Sequence, residues 1–276
     1  FNNAGFDLFP NYQSLTSFTT DAVVVLTMAA LIILGGISYV VVADVLRARS
    51  FTRLSLTSKI VLSTSVVLWS LGTAVLLLTE RSNPATLGGL PPWAAVMNAF
   101  FMSVTPRTAG FTTIDLGAAR EESLFLLIAL MFIGGASGST AGGIKVNTFS
   151  VLFWTILSAI QGKTTTEAFQ REIPQGQVLR ALAIALISVA LVYAVGLVLV
   201  FAEGFAFQAV FFEGVSAFGT VGLSTGITPS LSNVGRLVLV LVMFVGRLGP
   251  LTFVLAVAGR ERVPLVRYAR ESVRIG

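Results

Sequence analysis

Long apolar segments alternate with short polar ones along the chain, and their lengths predict how each segment meets a membrane. A helix needs about 20 apolar residues to cross a bilayer. Two apolar segments, residues 93–104 and 205–217, are too short to cross and predict helices that enter the membrane part-way. Segments long enough for a complete span are residues 19–45, 58–78, 178–200 and 237–258.

One further span is interrupted in its middle. Residues 123–133 and 144–160 are apolar, and the segment between them contains five glycines. Because each glycine costs a helix about 1 kcal/mol relative to alanine, we expect an irregular loop at membrane depth. The interrupting residues are Gly134, Gly135, Ala136, Ser137, Gly138, Ser139, Thr140, Ala141, Gly142 and Gly143.

Two other interpretations of this glycine-rich segment exist. Gly134, Gly138 and Gly142 have the small-xxx-small spacing that lets membrane helices pack closely, and this alternative stays open. The glycines from Gly138 onward also have the spacing of a nucleotide-binding phosphate loop. That loop requires a lysine where this chain has Ile144, and the segment lies inside a span, so we reject a nucleotide site.

A glycine-containing motif occurs three times. It is strongest at residues 105–111 (TPRTAGF) and recurs at 1–6 (FNNAGF) and 218–223 (FGTVGL), so its glycines are 105 and 112 residues apart. The second and third copies each follow a short helix and precede a span, which predicts an internal repeat. The predicted units are residues 1–49, 50–162 and 163–276. Since residue 1 lies inside a motif copy, we expect earlier parts of the repeat to precede it.

Composition supports a polytopic membrane protein. The chain is 55% hydrophobic and only 11% charged, against about 25% charged in soluble domains. It contains no cysteine and no histidine, which excludes disulfides, thiolate or zinc-histidine sites and a Ser-His-Asp triad. The predicted spans also contain no carboxylate pair, so we do not expect an enzyme.

The charged residues predict an orientation. Cytoplasmic loops of membrane proteins are enriched in Lys and Arg, so the unit boundaries and the C-terminal tail are expected in the cytoplasm, and the motifs on the outer side. Acidic residues predominate at the outer mouth, where they attract cations. The outer acids are Asp7, Asp21, Glu80, Asp115, Glu121, Glu122 and Glu203, and the outer basic residues are Arg81, Arg120 and Arg236. The boundary and tail basic residues are Arg47, Arg49, Arg53, Lys59, Lys163, Arg171, Arg180, Arg260, Arg262, Arg267, Arg270 and Arg274.

The motif is suited to binding a dehydrated cation. Irregular backbone at membrane depth must be buried in protein or line a watery cavity. A short helix followed by a glycine-containing strand is typical of cation filters, in which backbone carbonyls replace the hydration shell. Glycine permits the required backbone angles, and the C-terminal dipole of each short helix favours a cation. Three copies in phase with the topology make helix packing alone a poor explanation.

The motifs, together with residues 246–251 (GRLGPL), resemble the Trk/Ktr/HKT potassium transporter superfamily, and within it the bacterial Ktr-type membrane subunit. The resemblance covers essentially the whole chain. It implies an all-α polytopic membrane protein of repeated helix–pore loop–helix units around a central cation pore. The family has four such repeats, so we expect the first repeat, and the first part of the second, to be missing here.

The resemblance also implies roles for particular residues. The loop at residues 134–143 corresponds to an intramembrane gate, and Arg247 to an arginine near that gate; an alternative role for Arg247 is an ion pair with Glu213. The partner of Arg107 and the role of Lys145 stay open. Expected filter residues are Asn2, Asn3, Ala4, Gly5, Thr108, Ala109, Gly110, Thr220, Val221 and Gly222.

The predicted function is therefore potassium uptake through a backbone-carbonyl filter, with K⁺ as the transported ion, Na⁺ dependence left open and no cofactor bound by this chain. The family implies a homodimer in the lipid of a bacterial inner membrane, with cytosolic nucleotide-binding ring subunits as partners and no nucleic acid. The alternative is a secondary carrier with discontinuous helices and a midplane substrate site. Such carriers are built from inverted repeats, whereas these motif copies share one orientation.

Overall fold

A computed structural model describes residues 1–9, 13–249 and 252 of the chain, and helices dominate these residues. The end of the predicted span 237–258 and the five tail arginines (Arg260, Arg262, Arg267, Arg270 and Arg274) lie outside them. The helices are α1 (Ala22–Gly36), α2 (Tyr39–Ala48), α3 (Leu56–Glu80), α4 (Pro92–Val104), α5 (Glu121–Phe132), α6 (Val146–Ile160), α7 (Gln175–Ala202), α8 (Phe207–Gly219) and α9 (Asn233–Leu248). The predicted all-helical class is confirmed, apart from one short hairpin.

The membrane-length helices agree with the apolar segments. By length and composition α3 and α7 can each cross a membrane, and the α1–α2 pair makes a third crossing if the bent pair is one span. The two short helices are also where the sequence predicts them, with 13 residues each in α4 and α8. Pro92 begins α4, a position at which the missing N–H of proline costs nothing.

Side-chain caps begin several of these helices at the polar residues that interrupt the apolar pattern. The carboxylate of Asp21 accepts hydrogen bonds from the N–H groups of Val23 and Val24 at the start of α1. Ser55 and Ser232 cap α3 and α9 in the same way. These caps satisfy N–H groups that have no partner inside the helix.

The predicted span over residues 19–45 is not one straight helix. The segment forms α1 and α2, which are bent by 95° at a short break. Ile37 has an extended backbone between them, and the hydroxyl of Ser38 accepts the N–H of Val40 at 3.3 Å to begin α2. The carbonyls at the end of α1 are thereby released for partners outside their own helix.

The predicted polar loop over residues 162–177 instead contains a two-stranded antiparallel hairpin, β1 (Thr166–Ala168) and β2 (Arg171–Ile173), with Thr166 opposite Ile173. Ala168 and Ile173 are buried against Ile60 of α3, which explains why a mostly polar segment is ordered.

Each short helix packs against helices of two of the predicted units. α4 packs against α3 of its own unit and against α1 of the unit before it. α8 packs against α7 and α9 of its own unit and against α5 of the unit before it. The large buried side chains include Phe101 and Met102 of α4 and Phe212 and Phe218 of α8. The short helices are therefore enclosed by protein, and their C-terminal ends set the positions of the motifs.

The faces of α7 that point away from this core are apolar. Tyr193 and Phe201 are 67% and 83% exposed, and Leu186 and Leu197 are also exposed. Such a face is suited to contact with lipid chains rather than with water.

Candidate functional site

The last turn of each short helix holds the motif segment that follows it. At the end of α4, the hydroxyl of Thr105 donates a 2.6 Å hydrogen bond to the carbonyl of Phe111. In α8, Ser216 accepts the N–H of Val221 at its carbonyl and the N–H of Gly222 at its hydroxyl. Side-chain hydroxyls therefore brace both segments at the points where they leave the helices.

All three motif segments, residues 2–5, 108–110 and 220–222, have the same unusual backbone. In each, the first of two residues with positive φ carries a side chain, a conformation uncommon outside glycine. The second, two positions later, is the motif glycine. In an ordinary extended strand, successive residues point in opposite directions. The positive φ values interrupt this alternation in each motif segment. The φ values are 50° for Asn3, 70° for Thr108 and 52° for Thr220, followed by 67° for Gly5, 79° for Gly110 and 94° for Gly222.

The three motif glycines meet at one place, although they lie more than 100 residues apart in sequence. A methyl group built on Gly110 would lie 3.3 Å from the Cα atoms of both Gly5 and Gly222. A methyl group on Gly5 would lie 2.7 Å from the carbonyl oxygen of Ala109, closer than real side chains approach. The three segments are thus arranged side by side with Gly110 in the middle, and a side chain there would collide with the carbonyl oxygen of Val221 in the neighbouring segment.

Buried oxygen atoms are concentrated in these segments. Among the described residues, five side-chain oxygens are buried without a hydrogen-bond partner: those of Asn3, Thr108 and Thr220 lie in these segments, and those of Asn98 and Thr113 lie outside them. Oxygen ligands without a fixed charge suit a cation that must also leave. Since Oδ1 of Asn3 lies beside Gly35 and Oγ1 of Thr220 lies beside Gly142, the uncharged oxygens that can face a cation between the strands are the backbone carbonyls.

The charged residue of the motifs, Arg107, is turned toward the interrupted helix. Its side chain is 4% exposed, and its Nη1 atom donates a 3.0 Å hydrogen bond to the carbonyl of Gly134. The sequence did not indicate this partner.

The predicted break between α5 and α6 is confirmed, and the backbone of the loop at residues 134–143 is largely satisfied by other elements. The carbonyls released at the end of α1 accept hydrogen bonds from the loop: Gly36 from the N–H of Ala136 at 2.9 Å, and Gly35 from the hydroxyl of Thr140 at 3.0 Å. The N–H of Gly143 donates to the carbonyl of Gly246 in α9. Irregular backbone is tolerated at membrane depth when it is buried and paired in this way.

The loop lies directly against the motif segment of the last repeat. A methyl group on Gly142 would lie 3.0 Å from the carbonyl oxygen of Gly219, and one on Gly143 would lie 3.2 Å from its Cα atom. Close packing between helices does not explain the glycines of this segment, because residues 134–143 lie outside α5 and α6 in irregular backbone.

Two basic residues hold the second half of the loop. Arg247 in α9 donates from Nη1 to the carbonyl of Thr140 at 2.5 Å. Lys145, at the start of α6, donates from Nζ to the carbonyl of Ala141, which gives this lysine a structural partner that the sequence left open.

The alternative ion pair between Arg247 and Glu213 is wrong. The carboxylate of Glu213 accepts 2.7 Å hydrogen bonds from the hydroxyls of Ser224 and Thr228, and one from the N–H of Thr225 at 3.0 Å. Within the described part of the chain, the sole ion pair joins Lys163 to Glu167 in the hairpin region.

Sequence reasoning missed the supporting roles of two polar residues in the short helices. Glu213 organises the segment that follows the last motif. Asn98 is fully buried in α4, and its Nδ2 atom donates to the carbonyl of Thr19 at 2.7 Å, across a repeat boundary. The signal for these roles was a polar residue in an otherwise apolar helix. A polar group inside a membrane costs free energy, so it usually has a hydrogen-bond partner or a function.

Comparison with known proteins agrees with this architecture. The family model described as TrkH, cation transport protein, matches residues 1–262. The chain belongs to the TrkH family of cation transport proteins. This is a transport family rather than an enzyme family, and the predicted resemblance to the Trk/Ktr/HKT superfamily is confirmed.

The chain is also similar in sequence to individual potassium uptake proteins. The chain is 40% identical to the Ktr system potassium uptake protein B of Bacillus subtilis over 95% of its own length and 58% of that protein. It is 39% identical to the potassium/sodium uptake protein NtpJ of Enterococcus hirae, over its full length and 62% of that protein. The chain therefore spans about three fifths of the length of these relatives.

A solved structure shows the same fold. The potassium transporter TrkH from Vibrio parahaemolyticus matches with a TM-score of 0.72 at 18% identity, over 92% of this chain and 55% of that chain. At this identity the match establishes the fold of a membrane transporter and nothing finer.

Proposed function

We propose that this chain forms part of the pore of a potassium uptake protein. The single observation that carries the proposal is the convergence of Gly5, Gly110 and Gly222, each at the end of a segment with the same paired positive φ values. Three equivalent segments around a common space supply backbone carbonyls to one ion path. The relatives are named as potassium uptake and potassium/sodium uptake proteins, which supports K⁺ as the main ion.

The repeats provide the pore in order. Residues 1–49 contribute the motif strand of the second of four units, and the helix after it. Residues 50–162 form the third unit, and residues 163–276 form the fourth. The filter ligands are the carbonyls of residues 2–5, 108–110 and 220–222. A fourth strand from an earlier repeat completes the ring, and its identity bears on whether K⁺ is preferred over Na⁺.

The loop at residues 134–143 is proposed as the gate. It lies against the motif strand of the last repeat through Gly142 and Gly143, where it obstructs ions that leave the filter. Arg247 holds it in this position through Thr140. The bond has a charged donor but an exposed side chain, so it biases a closed state without locking it.

The cellular setting follows from the family resemblance. The protein is proposed to lie in a bacterial inner membrane as a homodimer, with the unit boundaries and the C-terminal tail in the cytoplasm. Cytosolic nucleotide-binding ring subunits regulate it there. The basic residues around α2 and the hairpin agree with a cytoplasmic location of that face.

Rubidium uptake tests the proposal. The complete protein is expressed in cells that lack potassium uptake, and initial Rb⁺ influx is measured against competing K⁺ or Na⁺. Gly110→Ser should reduce the preference for K⁺ over Na⁺, because the side chain enters the shared space and strains a φ of 79°. Gly204→Ser is the matched control, since nothing lies within 4 Å of that position. Unchanged uptake and selectivity in Gly110→Ser would refute the filter.

A carrier mechanism predicts a different result. A carrier with a midplane substrate site does not select ions at Gly110, so serine there would lower the rate of uptake through its packing and leave the preference for K⁺ over Na⁺ unchanged.

A further inference from the structure

Arg107 joins a motif strand to the base of the interrupting loop. It lies three residues before Gly110, and its buried guanidinium donates from Nη1 to the carbonyl of Gly134, the first residue of the loop, at 3.0 Å. A guanidinium with a carbonyl partner at this distance makes a charge-assisted hydrogen bond, which is stronger than a neutral one.

The main chain of the same residue joins the neighbouring repeat. The carbonyl of Arg107 accepts a 3.2 Å hydrogen bond from Nδ2 of Asn3, which belongs to the first motif strand of the chain. Its N–H donates to the carbonyl of Val104 at the end of α4. One residue therefore connects two motif strands, a short helix and the loop.

The base of the loop to which Arg107 is attached is closed by its own backbone. The N–H of Gly134 donates to the carbonyl of Ile144 at 2.7 Å, and the carbonyl of Gly135 accepts the N–H of Val146 at 3.0 Å. The two ends of the loop are thus clamped together. The base can remain in place whether or not the middle of the loop moves.

The middle of the loop is held by different groups. Thr140 accepts Arg247 at its carbonyl and donates to Gly35 through its hydroxyl. None of these contacts involves Arg107. The base and the middle of the loop therefore have different arginine partners, Arg107 and Arg247.

We infer that Arg107 is a positioning residue that fixes the strand of residues 108–110 on the base of the loop, so that ion selectivity depends on Arg107 while release of the gate depends on Arg247. The inference rests on the proposed filter and gate. Selective sites need ligands held within a fraction of an ångström by supporting groups, and the hydrogen bond to Gly134 is such a support.

The experiment compares Arg107→Gln with Arg247→Gln in the complete protein. Initial Rb⁺ influx gives the maximal rate, the KM and the inhibition by Na⁺, each normalised to the amount of protein in the membrane. Arg107→Gln is expected to lower the selectivity for Rb⁺ over Na⁺ at least fivefold and to raise the KM. Arg247→Gln is expected to raise the maximal rate and to leave selectivity within twofold of the unchanged protein.

Gly110→Ser serves as the reference for a damaged filter. If Gly110→Ser loses selectivity while Arg107→Gln retains it and its KM, the inference is wrong and the filter stands. If Gly110→Ser also retains selectivity, the proposed function itself fails.

A conservative variant covers the case in which Arg107→Gln is not inserted in the membrane. Lysine keeps the charge but carries its donors on a single flexible ammonium group in place of the planar fork of arginine, so it fixes Gly134 less firmly. Arg107→Lys should therefore show selectivity at least twofold below that of the unchanged protein and above that of Gly110→Ser. Selectivity equal to that of the unchanged protein would overturn the inference.

Discussion

The side chain of Arg247 donates a 2.5 Å hydrogen bond to the carbonyl of Thr140, which joins α9 to the middle of the interrupting loop across 107 positions of sequence. This contact ties a loop of high glycine content to a helix of the last repeat. Among the described residues, it is the one hydrogen bond from a basic side chain of α9 to the loop. We therefore expect the position of the loop to change when this bond is lost.

Replacing Arg247 with glutamine should increase ion flux. Loss of this exposed hydrogen bond favours the released loop by on the order of 1 kcal/mol, and 1.4 kcal/mol corresponds to a tenfold shift in an equilibrium constant. We expect initial Rb⁺ influx to rise several-fold per protein. Arg236→Gln, in the same helix but bonded to Pro229, is the control; equal influx in the two variants would contradict the gate.

Deletion of residues 137–142 should raise flux further. The deletion removes the middle of the loop, together with its contacts to Gly35 and Gly219, and retains Gly134 at the base. Rb⁺ influx and the size-exclusion profile in detergent are measured on the same preparation. A well-folded deletion protein with unchanged or lower influx would show that this loop does not obstruct the pore.

Replacing Asn98 with alanine should destabilise the packing between repeats. The substitution removes the hydrogen bond to Thr19 and leaves that carbonyl without its side-chain donor, at a cost of about 1–3 kcal/mol. We expect a lower Tm in detergent, measured by thermal unfolding. Val96→Ala, on the same helix at a position 51% exposed, should change the Tm much less; a similar decrease in both would mean that the asparagine bond is not what matters.

Replacing Glu213 with glutamine should loosen the segment after the last motif. An amide has one oxygen acceptor in place of two, so it cannot keep every bond that the carboxylate accepts from Ser224, Thr225 and Thr228. Faster hydrogen–deuterium exchange is expected in the peptide that contains Thr225. Glu167→Gln, in the exposed hairpin region, controls for the change of charge, and unchanged exchange in the Glu213 variant would argue against this role.

Much of this protein is determined by local properties of the sequence. The lengths of the apolar segments identified the short helices α4 and α8 to within about two residues at either end. The glycine content of residues 134–143 predicted the break between α5 and α6. Both features are local, because helix length follows from the extent of an apolar segment and helix breaking follows from the backbone freedom of glycine.

Only the tertiary structure decided the direction of the segments and the partners of the polar groups. The apolar pattern of residues 19–45 would be the same for one straight helix as for two helices bent by 95° after Gly36. Hydropathy indicates which residues avoid water and does not indicate the direction of a helix. The meeting of Gly5, Gly110 and Gly222, and the attachment of Arg107 to Gly134, also depend on contacts between distant parts of the chain. Such contacts are set by how the repeats pack around one another, and no property of a single segment specifies them.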